Sequence, residues 1–360
     1  MADPSDAFVL PRTGRTLRNR SVLAAMTNKQ SHDDGTLSDE EIHWLTMRAQ
    51  GGFGIVTTAA ANVTETGRGW DGEMGVWGDH QLPGLTTMAT ELRSHGAVSL
   101  VQLFHGGMRA PQRINGVQPV SASINTEAGM DGSTRELTSD EVHGIVEDFA
   151  QAAARCELAG FDGVELHGAH SYLICQFLGK KTNRRTDEWG GSYDARKRFL
   201  WAIIDAVRAV TSPNFLVFVR ISPLIEKMGI ELEDSLRLAQ DLAIVDVDGL
   251  HISCWDVFQS VDDDDERLMT KRFADALPDG FPLISTGAVW SAHDAQFVLD
   301  EGADLVGVAR VAIGHFDWAN RVSDSAYDPQ RQPFSAQHLA TQGLSPVFID
   351  YMRRWKNFVV

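Results

Sequence analysis

The sequence predicts an α/β fold, a (β/α)₈ or TIM barrel, from three observations. Short β-branched runs alternate with amphipathic helical patterns eight times along the chain. The length of 360 residues suits a decorated barrel, since barrels run from about 200 to over 400 residues as one unit. No G-x-G-x-x-G follows any of the runs, so an open dinucleotide-binding sheet lacks its phosphate loop. Counting units alone still leaves a doubly wound sheet as the alternative.

The runs expected to form strands are Val22–Thr27, Gly54–Thr58, Val98–Leu103, Gly163–His167, Phe215–Ile221, Gly249–Ser253, Pro282–Thr286 and Asp304–Val308. Helix starts are signalled by Ser38 with Glu41 and by Thr138 with Glu141, the reciprocal pairs of a capping box. Further helices are expected at Asp194–Val210, Glu233–Ile244 and Ser291–Asp300. Two connections are long, Phe104 to Leu137 after strand three and Gly168 to Tyr193 after strand four. Long loops in a compact domain are commonly functional. No linker divides the chain, so residues 1–360 read as a single domain with a C-terminal helical extension over about 315–360. That extension, with Tyr351-Met-Arg-Arg-Trp355, closes the barrel or meets a neighbouring subunit in a homo-oligomer.

Apolar residues make up 43 % and charged residues 22 %, which suits a globular core. With 32 Lys+Arg against 49 Asp+Glu the net charge is −17, which disfavours nucleic acid and anionic membranes as partners. Cys156, Cys175 and Cys254 form no C-x-x-C pair, so neither a disulfide framework nor a zinc cluster is expected. The N-terminal region carries Asp3, Asp6, Arg12 and Arg15 without an apolar h-region, and no apolar run reaches the ~18 residues of a span. A cytoplasmic location is expected. Gly179-Lys180-Lys181-Thr182 fails as a Walker loop because Ile174 stands where the first glycine belongs. The acidic run Asp262–Glu266 reads as a solvated loop.

In a barrel the chemistry sits at the C-terminal ends of the strands. The fourth run ends in Glu165-Leu166-His167-Gly168-Ala169-His170-Ser171-Tyr172. His167 and His170 at that turn can both donate N–H bonds to one substrate oxygen, and Tyr172 can donate a proton. Glu165 with the two histidines also imitates a two-His, one-carboxylate metal site, which supports a second reading as a flavin-free or metal-dependent aldolase, isomerase or hydrolase. Arg220 ends the fifth run, and an arginine there requires an anionic partner, within the protein or in a ligand. Gly287 after strand seven and Ala309-Arg310 after strand eight occupy the usual phosphate site of barrels.

His167-Gly-Ala-His170-Ser-Tyr172-Leu, Asn183-Arg-Arg185-Thr-Asp187-Glu-Trp-Gly190-Gly191-Ser192 and Arg198-Phe199 together resemble the Old Yellow Enzyme family of FMN-dependent NAD(P)H oxidoreductases. Arg18-Asn-Arg20, Ala24-Ala25-Met26-Thr27, Gln102-Leu-Phe-His105-Gly-Gly107 and Val219-Arg220-Ile-Ser extend the resemblance. It implies bound FMN, NAD(P)H as hydride donor, and ene-reductase-like ping-pong transfer through flavin N5 to an electrophile such as an α,β-unsaturated carbonyl. It further implies that Ala24, Ala25, Met26, Thr27, Ala60 (in the loop after strand two) and Gln102 line the flavin. Arg220 would face its N1 and O2, while Gly287, Ala309 and Arg310 would hold the phosphate. His167 and His170 would bind the substrate oxygen and Tyr172 would deliver the proton. Trp255 and Phe104 are either pocket wall or packing. The chain departs from the family pattern with Ala25 for a common proline, Ser171 for a frequent glycine, Trp189 for a tyrosine and Ala309 for a glycine.

Overall fold

The computed structural model describes residues 2–126, 132–260 and 265–360. Residues 262–264 of the acidic run lie outside them. Eight strands close a parallel barrel: β1 Ser21–Leu23, β2 Ile55–Asn62, β3 Val98–Phe104, β4 Gly163–Gly168, β5 Leu216–Ile221, β6 Gly249–Ser253, β7 Leu283–Thr286 and β8 Leu305–Val308. Each pairs with its sequence neighbour, and β8 returns to β1 through Val306 opposite Ser21 and Val308 opposite Leu23. Closure excludes the open-sheet alternative.

Two strand ends differ from the sequence expectation by more than one residue. β1 stops at Leu23, because beyond it only the Ala24 amide continues the ladder, donating to Val308 O at 2.9 Å. β2 runs on to Asn62 through a register shift between Thr57 and Ala60. Ala60 therefore lies inside the strand, opposite Gln102, and not in a loop.

Alternation along the strands builds two cores. Val22, Ile55, Val98, Leu100, Leu216, Phe218, Ile284 and Leu305 point inward at the N-terminal end. Leu10 and Leu17, from a small antiparallel hairpin that pairs Phe8–Val9 with Thr16–Leu17, plug that end. The intervening residues, such as Val217, Val219, Val306 and Val308, face outward and join the larger core beneath the helices. A fully buried side chain of this kind contributes roughly 1.5–3 kcal/mol.

The helices that shield the barrel include α1 Asp39–Gln50, α2 Leu82–Ser94, α3 Ser139–Ala159, α4 Tyr193–Val210, α5 Leu232–Leu242, α6 Met269–Ala276 and α7 Ala292–Asp300. Thr138 and Glu141 form the expected reciprocal box, and Arg135 beside Glu141 helps to hold that carboxyl at about 2. At Ser38 only half of the box exists. Ser38 Oγ accepts from the Glu41 amide at 3.1 Å, but the Glu41 carboxylate is buried and accepts from Asn28 and Ser31 instead.

The C-terminal segment folds back onto its own chain. Arg48 of α1, fully buried, donates to Ala312 O at 2.9 Å and to Gln342 O at 2.7 Å, and Trp44 meets Phe348 edge-on at 5.2 Å. The terminal helix spans Pro346–Met352, so Arg353, Arg354 and Trp355 follow it in a turn and do not extend the helix. Among the described residues no helix is long and apolar enough to cross a membrane.

Candidate active site

Two residues beyond the apolar plug, the inward positions become polar: Gln102 follows Leu100, Arg220 follows Phe218 and Thr286 follows Ile284. On β4 and β6 the same face carries Glu165 and His167, and His251 and Ser253. The turn after β4 holds His170 at φ 56° and Ser171 at φ 67°. Two successive left-handed residues without glycine cost of the order of 1–2 kcal/mol each. They swing His170 back beside His167, with ring centroids 5.0 Å apart. Tyr172 lies 4.9 Å from the His167 ring and edge-on to Phe104 at 4.8 Å. Trp70, which carried no signal in the sequence, stacks on Phe104 at 5.3 Å. Arg109 sits over the Tyr172 ring at 5.0 Å and donates to His170 O at 2.7 Å.

Burial, with His170, Arg220 and Arg109 nearby, holds His167 well below the usual histidine range. Burial together with Arg220 and Arg109 does the same for His170. Both imidazoles are neutral at pH 7. His167 Nδ1 accepts from the Ala169 amide at 3.3 Å, so its proton sits on Nε2. His170 Nε2 lies 2.8 Å from Ser253 Oγ; that oxygen accepts from Arg220 Nη2 at 3.0 Å, which leaves the serine hydroxyl hydrogen free to be donated to the imidazole.

Arg220 is 4 % exposed, and its Nε is buried without a partner among the described residues. It opens into a cavity of about 270 Å³ whose walls include His170, Gly287, Ala309, Arg310 and Trp355. A Cβ at Gly287 would stand 2.7 Å from Cys254 O, so the close approach of two loops requires glycine there. Ala309 has φ −127°, outside the left-handed region that would favour glycine. Arg310 is exposed at the start of the helix Arg310–Gly314. A second cavity of about 250 Å³ shares Ser253, Cys254 and Trp255 with the first and continues past Leu224 and Met269.

The structure thus brings His167, His170 and Tyr172 together, and Arg220, Gly287, Ala309 and Arg310 around one cavity. Ala24, Ala25, Met26 and Thr27 follow β1 as irregular chain, and Ala25 O lies 3.5 Å from Arg220 Nη1. Thr27 lies beside the Tyr351 phenol of the C-terminal segment and lowers it against the opposing effect of burial. Trp255, 87 % exposed, belongs to the cavity rim, whereas Phe104 is fully buried beneath Tyr172. The two-His, one-carboxylate arrangement is not formed. Glu165 directs Oε1 to Gln102 Nε2 and Oε2 to His251 Nδ1, each at 2.6 Å, and spends both oxygens inside the barrel. His251 is a residue the sequence reading missed, although a polar side chain two positions before Ser253 in an apolar run is a period-two signal.

A sequence profile of the NADH:flavin oxidoreductase / NADH oxidase family matches residues 13–328. The chain is 36 % identical over 320 residues to the probable NADH-dependent flavin oxidoreductase YqiG of Bacillus subtilis (strain 168), covering 87 % of this chain and 86 % of that one. It is 32 % identical to the NADH:acrylate oxidoreductase of Vibrio harveyi, matching 98 % of this chain and 36 % of that longer protein. The structure of morphinone reductase in complex with tetrahydroNAD superposes with a TM-score of 0.81 at 29 % identity, covering 94 % of each chain. An Old Yellow Enzyme homologue from Zymomonas mobilis shares the fold, with a TM-score of 0.81 at 24 % identity over 96 % of this chain and 99 % of that one. By its profile match and its relatives, the chain belongs to the NADH:flavin oxidoreductase / NADH oxidase family and is an NAD(P)H-dependent oxidoreductase whose cofactor is FMN.

Proposed function

We propose that this enzyme reduces an alkene conjugated to a carbonyl group, in the ping-pong manner of an ene-reductase. The observation that carries the reading is the pair of neutral histidines, 5.0 Å apart, with Tyr172 beside them. FMN held at this site would supply the hydride chemistry, taking hydride from NAD(P)H for delivery to the β-carbon of the acceptor. His167, through Nε2–H, and His170 hold the acceptor oxygen and stabilise the charge that builds on it as the β-carbon is reduced. Tyr172 delivers its phenolic proton to the α-carbon and regains one from solvent, so one hydride and one proton saturate the double bond.

The residues around the cavity fit FMN. Arg220, buried with an unpartnered Nε, offers a fixed positive charge to the electron-rich N1 and O2 edge. Gly287, Ala309 and Arg310 are read as the phosphate grip, and Ala24, Ala25, Met26, Thr27, Ala60 and Gln102 as the ring surround. The Vibrio relative, an NADH:acrylate oxidoreductase, has a conjugated alkene, acrylate, on the acceptor side, which supports the substrate class. The return of the C-terminal segment onto α1 supports residues 1–360 as one domain.

The test is an anaerobic double mix of FMN-loaded protein. NADH or NADPH is expected to bleach the flavin band, and 2-cyclohexenone is expected to restore it. A band that neither nucleotide bleaches, or that the enone leaves bleached, overturns the proposal.

A further inference from the structure

Between the apolar plug and the cavity lies a buried polar layer of which the reading above uses only Gln102. Glu165, His251, Gln102 and Thr286 come from four strands, and the first two are fully buried. Gln102 Nε2 donates to Glu165 Oε1 at 2.6 Å, His251 Nδ1 lies 2.6 Å from Glu165 Oε2, and His251 Nε2 lies 2.7 Å from Thr286 Oγ1.

The hydrogen bonds favour one arrangement of protons along this chain. Burial opposes ionisation of Glu165, but the electrostatic pull and hydrogen bond of His251, then the charge of Arg220 and the hydrogen bond from Gln102, outweigh it and keep the carboxyl below its ordinary value. Burial, against the pull of Glu165, lowers His251, so its imidazole is neutral. An ionised carboxylate only accepts, which puts the single imidazole proton on Nδ1. Nε2 then accepts from the Thr286 hydroxyl. The amide of Gln102 must present its NH₂ to Glu165 and turn its carbonyl oxygen away.

We infer that Glu165, His251 and Thr286 are positioning residues that lock the Gln102 amide and offset the Arg220 charge, and thereby set the reduction potential of bound FMN. The inference rests on the reading of Gln102 and Arg220 as FMN-facing residues. Negative charge gathers on the flavin at N1 and O2 on reduction, so the field at that edge favours one redox state over the other. Arg220 and Glu165 interact electrostatically, and the carboxylate weakens the positive field that the reduced cofactor would feel.

The decisive variant is Glu165→Gln, which keeps the shape and removes the charge. Reduced FMN is expected to gain at least tenfold over oxidised FMN, a rise of about 30 mV in a two-electron potential measured by dye equilibration. Glu165→Asp, which keeps the charge, is expected to return the potential towards that of the parent. An unchanged or lowered potential in Glu165→Gln overturns the inference. If that variant does not fold, ¹⁵N-histidine spectra of the FMN-loaded parent decide the matter, with the His251 signal assigned by its loss in His251→Asn. A protonated Nδ1 and a bare Nε2 are expected, and the reverse tautomer overturns the relay. A parent protein that takes up no FMN would instead sink the reading of Gln102 and Arg220. Flavin that binds with a potential indifferent to Glu165 sinks only the relay.

Discussion

The two ends of the barrel are made from the same strands and differ by two residues along each. At the N-terminal end Phe218 is packed among Leu216, Ile284 and Leu305, while one inward step higher Arg220 stands beside a cavity with its Nε unpartnered. The lower end lowers the free energy by removing apolar surface from water. The upper end holds charge, strain and neutralised imidazoles that add little to folding. A period of two lets one strand serve both purposes, because the inward face is repeated and its chemistry can change between layers.

That division can be broken by moving between the two layers. Phe218→Ala is expected to cost about 3–5 kcal/mol in urea unfolding, as a cavity opens in the plug, with FMN affinity of the folded fraction unchanged. Arg220→Met, two residues away, combined with Glu165→Gln so that both buried charges are removed together, is expected to leave the unfolding free energy of the FMN-free protein within about 1 kcal/mol. Its FMN affinity should fall about 100-fold, the loss of roughly 3 kcal/mol of charge-assisted contact. Equal stability losses in the two variants would contradict the division.

Acid sensitivity should come from the upper end as well. His105, just past β3, is almost fully buried, and burial lowers it to about 4. The unfolded chain takes up that proton near pH 6.5, so this contribution to stability is complete above pH 6.5. It is lost as pH falls towards 4, by about 3 kcal/mol in all. Urea melts of the parent and His105→Asn between pH 7 and pH 4.5 are expected to show a shallower acid slope in the variant. The smallest effect is expected at the strained turn. Ser171→Gly relieves a left-handed serine at φ 67° and should raise stability by about 1 kcal/mol, read as a higher urea midpoint.

The eight strands were legible because β-branched alternation marks them directly. β1 ended early because Ala24-Ala25-Met26-Thr27 carries no such alternation and leaves the ladder. The His167, His170 and Tyr172 grouping was legible from its strand-to-turn position. The neighbouring Asn183 to Ser192 stretch, equally informative about family, turns out to be scaffolding at its central residues. Asn183 Nδ2 bridges Phe177 O and Trp189 O at 2.8 Å each, and Arg185 is paired with Asp187 and donates to Ala122 O. The approach of Thr27 to Tyr351 was invisible, since the two residues come from opposite ends of the chain and only the folded barrel brings them together.

The central claim is that the upper end protonates the acceptor from Tyr172 while the cofactor supplies hydride. Anaerobic stopped-flow on Tyr172→Phe separates the two. Flavin bleaching by NAD(P)H is expected to stay within about threefold of the parent rate, while reoxidation by 2-cyclohexenone slows by about 100-fold or more, the usual worth of a positioned general acid. Equal slowing of both half-reactions, or of neither, would contradict the account.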